Sequence, residues 1–219
     1  MCNDAPSVMT TVCQSASGNT APTVAVCAAA RDTAVVATME MLTVCTHNRT
    51  RSVIMSASLD RRLREVGCKP QITSGGFQTA GRPPTETTVR LLAELGIEVG
   101  DHRSQLIDDS LVSTADLILC AEREHVVTIA GRYPGSFARA FTMPEFARLG
   151  EVVGSMDGDL PGWLRRVERQ RPSGIDYLDV DASMVGEIRD PTACPPKVWA
   201  EVVRHIDDLA VRIARVVAP

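Results

Sequence analysis

A cysteine at the end of an apolar strand, followed closely by a helix, constrains the fold of this chain more than any other feature. Leu42-Thr43-Val44 predicts a buried strand that ends at Cys45. Ser52 to Val66 then predicts a helix with apolar residues on one face, and Gly67 follows as a stop signal. A short loop that closes onto a helix N-terminus turns its backbone N–H groups inward. The sequence therefore predicts a concave anion site in which phosphate fits.

The rest of the chain alternates predicted strands and helices. Strands are predicted at 71–78 and 116–120, and helices at 84–95, 122–130, 143–153 and 163–170. The last helix starts at Pro195-Pro196 and carries apolar residues at intervals of three and four as far as Val217. We predict an α/β fold, an open parallel three-layer sheet with helices on both faces and the phosphate loop after the first core strand.

Composition excludes several classes of partner and site. The net charge of −4 offers no basic field for nucleic acid or anionic lipid, and no apolar run is long enough to span a bilayer. The seven cysteines are odd in number and form no C-x-x-C pair, which argues against both a disulfide framework and a zinc site. Reduced thiols are typical of a cytoplasmic protein. The oligomeric state is not predictable from these features.

Residues 1–38 differ from the remainder. They are rich in Ala, Thr, Val and Ser, lack a helical or strand period, and precede Met39 and Met41. We expect an N-terminal extension that is either disordered or a mis-assigned start, ahead of a single domain over 39–219.

The residues around the predicted loop suit phosphoryl transfer. The positive end of a helix favours a thiolate, so Cys45 is the predicted nucleophile. The planar guanidinium of Arg51 can hold two phosphoryl oxygens, and the Ser52 hydroxyl can donate to the sulfur. Asp190, just before the last helix, is the predicted general acid, and Pro191 would stiffen its loop. No metal or cofactor is needed for this chemistry.

These motifs resemble the low-molecular-weight protein tyrosine phosphatases. That family has V-C-x-G-N-x-C-R-S after its first strand and D-P before its last helix, and the resemblance runs from Met41 to Ala218. Thr79-Ala80-Gly81 looks like the family's Ser-Ala-Gly, and Asp101-His102-Arg103 looks like its histidine segment. The resemblance implies hydrolysis of phosphotyrosine in proteins, or of a small phosphomonoester, through a cysteinyl-phosphate intermediate.

The resemblance also implies further site residues. The loop would bind the phosphoryl group through residues Thr46, His47, Asn48, Arg49, Thr50 and Ser52. Asn48, Thr79 and His102 would hold that loop in its strained shape. The range 131–176 is longer than the family core and resembles an insertion.

Some positions depart from the family pattern, and two other functions stay open. Thr50 replaces a cysteine that often protects the nucleophile, and Thr192-Ala193 stand where tyrosines often wall the pocket. Arsenate reductases resemble the same fold but pass oxidation to two further cysteines. Cys120 sits where the first would lie, but no cysteine follows it within several residues. A non-catalytic phosphate-binding module is the second alternative.

Overall fold

Four parallel strands form the centre of the fold. The computed structural model describes residues 39–171, 177 and 185–218, so the predicted extension over 1–38 lies outside the described residues. The strands are β1 (Glu40–Cys45), β2 (Gln71–Gly76), β3 (Leu117–Cys120) and β4 (Ala140–Thr142). They lie in the order β2-β1-β3-β4, and each neighbouring pair is parallel.

Helices cover both faces of this sheet. They are α1 (Arg51–Glu65), α2 (Glu86–Ala93), α3 (Asp109–Thr114), α4 (Arg123–Arg132), α5 (Met143–Val153), α6 (Leu160–Glu168) and α7 (Pro196–Val217). Residues of β1 and β3 alternate between two apolar clusters, as the two-residue period of a strand requires. One cluster joins the sheet to α1, α5, α6 and α7, and the other joins it to α3 and α4. This arrangement confirms the predicted α/β class.

The strand and helix assignments agree with the prediction in most places. The strand ending at Cys45, the helix after it and the long last helix are all present. Helix α3 and strand β4 were not predicted. Strand β4 and helix α5 both lie in the range 131–176, so part of the predicted insertion is integral to the sheet and its core. In the described part of the chain, no helix has both the length and the apolar character needed to cross a membrane.

Topology brings the functional loops together. Cys45 ends β1, Gly76 ends β2 and Cys120 ends β3, and these strands run in the same direction side by side. The segments that follow them therefore leave the sheet at one edge, which is where open α/β sheets place their sites.

Candidate active site

The loop between β1 and α1 leaves a helix N-terminus open. Thr50 is the N-cap of α1, but its side chain makes no capping hydrogen bond, and the first turn holds no acidic residue. The first amides of this 15-residue helix are therefore free of a side-chain partner within the loop. Such an end carries partial positive charge and favours an anion.

Cys45 lies at this end of the helix and contacts a hydroxyl. Its Sγ is 3.1 Å from Oγ of Ser52, and Nδ2 of Asn48 donates to the same Oγ at 3.0 Å. Because the amide is a donor, the hydroxyl accepts from Asn48 and can direct its own hydrogen to the sulfur. Thr43 fixes the first turn of α1 from below, since its hydroxyl donates to the Ser52 carbonyl at 2.9 Å.

Asn48 holds the loop in its unusual backbone conformation. It is fully buried and has a φ of 52°, in the left-handed region that asparagine tolerates better than most residues. Its side chain also donates to Oγ of Ser74 at 2.8 Å and accepts from the amide of Gln105 at 2.9 Å. Its carbonyl accepts from Nε2 of His102 at 2.9 Å. Asn48 and His102 were predicted to support the loop, and these are the contacts through which they would do so.

A glycine lies directly beneath the loop. A methyl group on Gly76 would be 2.8 Å from the nitrogen of Asn48, 2.9 Å from the carbonyl oxygen of Thr46 and 3.0 Å from that of Cys45. The next residue, Phe77, donates its amide to the Thr46 carbonyl at 2.9 Å. The end of β2 therefore supports the loop through close backbone contact, which a side chain would prevent.

Arg51 is buried and held by carboxylates on two sides. Only 3% of its side chain is exposed. One Nη pairs with Glu122 and donates to the Ile188 carbonyl at 3.2 Å, and the other pairs with Asp190 at 3.0 Å. A buried guanidinium needs such partners because an unpaired charge is costly to bury. These contacts fix the plane of the Arg51 guanidinium beside the open N-terminus of α1.

The loop that carries Asp190 is tied to the sheet. The amide of Ile188 donates to the carbonyl of Ala121, just beyond β3, at 2.8 Å, and the amide of Thr192 donates to the Asp190 carboxylate at 2.9 Å. Burial raises the pKa of Asp190, but the hydrogen bonds from Thr192 and the cation of Arg51 lower it more. The pKa of Asp190 therefore lies below its usual range in the free protein. Pro191 is buried beside it.

The remaining predicted residues fall into two groups. His47 is exposed, and its Nδ1 lies 2.7 Å from Oγ1 of Thr79, so Thr79 supports the rim of the loop. Arg49 donates to the Pro83 carbonyl at 2.8 Å, and Oγ1 of Thr50 lies 3.3 Å from that of Thr85. The hydrogen bonds of these last two side chains thus run to the segment 83–85 and not to Cys45 or Arg51.

Sequence reasoning missed four residues of the site. Ser74 and Gln105 hold Asn48, and Glu122 holds Arg51. His125 contacts Thr46, with Nε2 3.1 Å from Oγ1. Position at the carboxyl end of β3 could have identified Glu122. Ser74 contacts the loop through Asn48, in addition to the predicted contact residue Thr79, which reaches the loop through His47.

Comparison with known proteins agrees with this geometry. The family model for low molecular weight phosphotyrosine protein phosphatase matches residues 40–157, more than half of the chain. The probable low molecular weight protein-tyrosine-phosphatase EpsP of Ralstonia nicotianae is 33% identical over 105 residues, which cover 48% of this chain and 70% of that protein. Arsenate reductase 2 of Staphylococcus haemolyticus is 30% identical over 84 residues, or 37% of this chain and 60% of that protein.

Solved structures share the fold. The YwlE arginine phosphatase from Geobacillus stearothermophilus has a TM-score of 0.59 and 23% identity, covering 80% of this chain and 90% of that one. The sheet order, the loop between β1 and α1 and the family match over residues 40–157 agree with one another. This chain belongs to the low molecular weight phosphotyrosine protein phosphatase family.

Proposed function

We propose that the protein hydrolyses phosphate monoesters, and phosphotyrosine in proteins in particular, with Cys45 as the nucleophile. One observation carries the proposal. The Cys45 sulfur contacts Ser52 in the first turn of α1 at 3.1 Å, and the neighbouring Arg51 pairs with the Asp190 carboxylate at 3.0 Å. A nucleophile, an anion clamp and a proton donor are the three groups that metal-free phosphoryl transfer requires.

In the first step, the Cys45 thiolate attacks phosphorus while the ester oxygen leaves on the opposite side. The sulfur–phosphorus bond forms as the phosphorus–oxygen bond breaks. Arg51 and the amides of the loop neutralise the charge on the equatorial oxygens. Asp190 gives its proton to the leaving oxygen, so the carboxylic acid must be present when substrate is bound.

In the second step, water hydrolyses the cysteinyl phosphate. The Asp190 carboxylate, now deprotonated, takes a proton from a water molecule as the water oxygen attacks phosphorus. The Ser52 hydroxyl, 3.1 Å from the sulfur, donates to the thiolate as it leaves. Phosphate is released and the free thiolate is restored.

The pairing of Arg51 with Asp190 couples binding to proton uptake. In the free protein Asp190 contacts Arg51 at 3.0 Å, and its pKa is lowered. A phosphoryl dianion on Arg51 would replace that contact and add negative charge beside the carboxylate. Both changes raise the pKa of Asp190. Substrate binding therefore loads the proton that the leaving group receives.

Partner and location follow from the same reasoning. The proposed substrate is a phosphorylated protein or a small phosphomonoester, and the proposed location is the cytoplasm, where a nucleophilic thiol stays reduced. A relative at 30% identity is named as an arsenate reductase, and that activity requires further reactive cysteines. Cys120 is fully buried, and burial raises the pKa of its thiol far above the usual range. This observation disfavours Cys120 as a redox relay.

Hydrolysis of p-nitrophenyl phosphate tests the proposal directly. We expect turnover by the wild type and its loss in Cys45→Ser, because an alcohol at this position is a far weaker nucleophile. Cys68→Ser is the matched control, since Cys68 lies beyond α1 and its thiol faces the Val217 carbonyl. No turnover of the ester, with thiol-dependent reduction of arsenate, would refute the proposal.

The substrate class needs its own comparison. Peptides that carry phosphotyrosine, phosphoserine or phosphoarginine would be compared with the same enzyme preparation. We expect the highest kcat/KM for phosphotyrosine. A preference for phosphoarginine peptides would overturn the proposed substrate but leave the cysteine mechanism intact.

A further inference from the structure

A buried histidine touches the phosphate loop from outside it. His125, in the first turn of α4, is only 4% exposed, and its Nε2 is 3.1 Å from Oγ1 of Thr46. Its ring stacks on Phe77, with ring centroids 5.5 Å apart. The same side chain completes a capping box with Glu122, the carboxylate that pairs with Arg51. His125 therefore contacts both the phosphate loop and Glu122, the carboxylate that pairs with the Arg51 guanidinium.

The contacts of His125 define which nitrogen carries hydrogen. The amide of Glu122 donates to Nδ1 at 3.2 Å, so Nδ1 is the acceptor and the hydrogen of the neutral ring lies on Nε2. Burial lowers the pKa of His125 to about 4, with the Arg51 cation acting in the same direction and Glu187 and Asp190 opposing it. The ring is therefore neutral near neutral pH, and its Nε2–H faces Oγ1 of Thr46 at 3.1 Å and a Glu122 carboxylate oxygen at 3.3 Å, with the hydroxyl the nearer acceptor.

Thr46 then has two donors aimed at one oxygen. Nε2 of His125 lies 3.1 Å and Nη2 of Arg51 3.4 Å from its Oγ1. A hydroxyl has two lone pairs and one hydrogen, so these donors use its capacity to accept and leave the hydrogen to give. Among the described residues, these are the hydrogen bonds that this hydroxyl makes. Thr46 follows Cys45 directly, on the rim of the anion site.

We propose that His125 is a positioning residue: it turns the Thr46 hydroxyl so that the hydroxyl donates a hydrogen bond to an oxygen of the bound phosphoryl group. This inference rests on the proposed function, because it assumes that the loop binds a phosphoryl group. Nothing is transferred in this contact, and Thr46 and His125 keep their protons throughout. The gain is one more oriented donor, prepared before substrate arrives.

Two substitutions separate this role from simple structural support. His125→Asn places a carbonyl oxygen near the position of Nδ1, so it keeps the acceptor for the Glu122 amide but loses the donor to Thr46. His125→Gln places an amide NH₂ near the position of Nε2, so it keeps the donor to Thr46 but loses that acceptor. His205→Asn is the control for the substitution itself, since His205 is exposed on α7.

We would measure kcat and KM for p-nitrophenyl phosphate and the Kd of inorganic phosphate for each variant. We expect His125→Asn to lower kcat/KM and phosphate affinity about tenfold to 100-fold, the value of one hydrogen bond to a charged group. We expect His125→Gln to stay within about twofold of the wild type. Thr46→Val should match His125→Asn, and the double variant should lose no more than either.

Equal losses in His125→Asn and His125→Gln, or no loss in Thr46→Val, would overturn the inference. If the wild type binds phosphate but turns over no ester, the proposed function fails, and the phosphate affinities still decide the role of His125. The imidazole nitrogen resonances of the wild type give a test that needs no variant. A neutral ring with hydrogen on Nε2 is expected, and hydrogen on Nδ1 would contradict the assigned contacts.

Discussion

Gly76→Ala should disable the phosphate loop without touching any catalytic side chain. The added methyl group would lie 2.8, 2.9 and 3.0 Å from backbone atoms of Asn48, Thr46 and Cys45, whereas ordinary contact begins near 3.4 Å. The loop or the end of β2 must then move by about 0.6 Å, the difference between ordinary contact and the closest of these distances. Backbone atoms cannot rotate away as a flexible side chain can, so the displacement reaches the sulfur and the anion site.

The magnitude follows from this displacement. Overpacking of a rigid site costs about 1–3 kcal/mol of unfolding free energy. A displacement of about 1 Å can cost about 100-fold in rate, so a shift of this size should lower kcat/KM by about 10- to 100-fold. Urea denaturation and p-nitrophenyl phosphate kinetics measure the two effects separately.

Gly131→Ala is the matched control. Gly131 lies on the exposed side of α4, and a methyl group there meets no atom within 4 Å. Alanine in a helix is favoured over glycine by about 0.5–1 kcal/mol, so this variant should be equally or more stable and fully active. Wild-type activity and stability in Gly76→Ala would refute the argument that the loop rests on β2.

Three further predictions follow from the same contacts. Asn48→Ala removes three side-chain hydrogen bonds and leaves alanine at a φ of 52°. Denaturation should show that the free energy of unfolding falls by about 3–4 kcal/mol, and a fall below about 1 kcal/mol would contradict the supporting role of Asn48. Binding of inorganic phosphate at mildly acidic pH should take up more protons in the wild type than in Asp190→Asn, because the anion displaces Asp190 from Arg51 and raises its lowered pKa. Calorimetry in buffers of different ionisation enthalpy measures the difference, in which the protons of phosphate itself cancel, and equal values for the two proteins would contradict the coupling. Cys120→Ala should keep kcat within about twofold of the wild type and lower the free energy of unfolding by about 1 kcal/mol. A large fall in kcat with no change in stability would show that the buried thiol has a chemical role.

Local patterns predicted the part of the site that is local in sequence. The strand ending at Cys45, the loop and the helix from Arg51 lie within one short segment, and hydrophobic periodicity together with the helix stop signal at Gly67 defines it. Asp190-Pro191 was predicted from its place before the last helix, and the structure brings Asp190 to Arg51 across 139 residues of sequence. No local pattern connects two positions that lie so far apart in the sequence.

The residues that sequence reasoning missed act through tertiary contacts. Ser74 lies 26 residues from Asn48, and Glu122 lies 71 residues from Arg51, so no spacing rule connects them. Strand β4 has only three residues, Ala140–Thr142, too few to show alternation. Helix α3 has six residues and buries only Val112, so it carries no helical apolar stripe. Both elements are stabilised by packing on the sheet and not by their own sequence pattern.

Direct detection of a phosphoryl group on Cys45 tests the central claim most simply. Asp190→Asn lacks both the acid of the first step and the base of the second, but p-nitrophenolate is a good leaving group and departs without a proton. The second step is therefore the slower one in this variant, so after mixing with p-nitrophenyl phosphate and a denaturing quench it should accumulate the cysteinyl phosphate. Mass spectrometry of the digested protein should then find the mass of one phosphoryl group on the peptide that contains Cys45, and none in Cys45→Ser. Turnover of the ester by the wild type with no phosphoryl group on Cys45 under any quench would contradict the covalent mechanism.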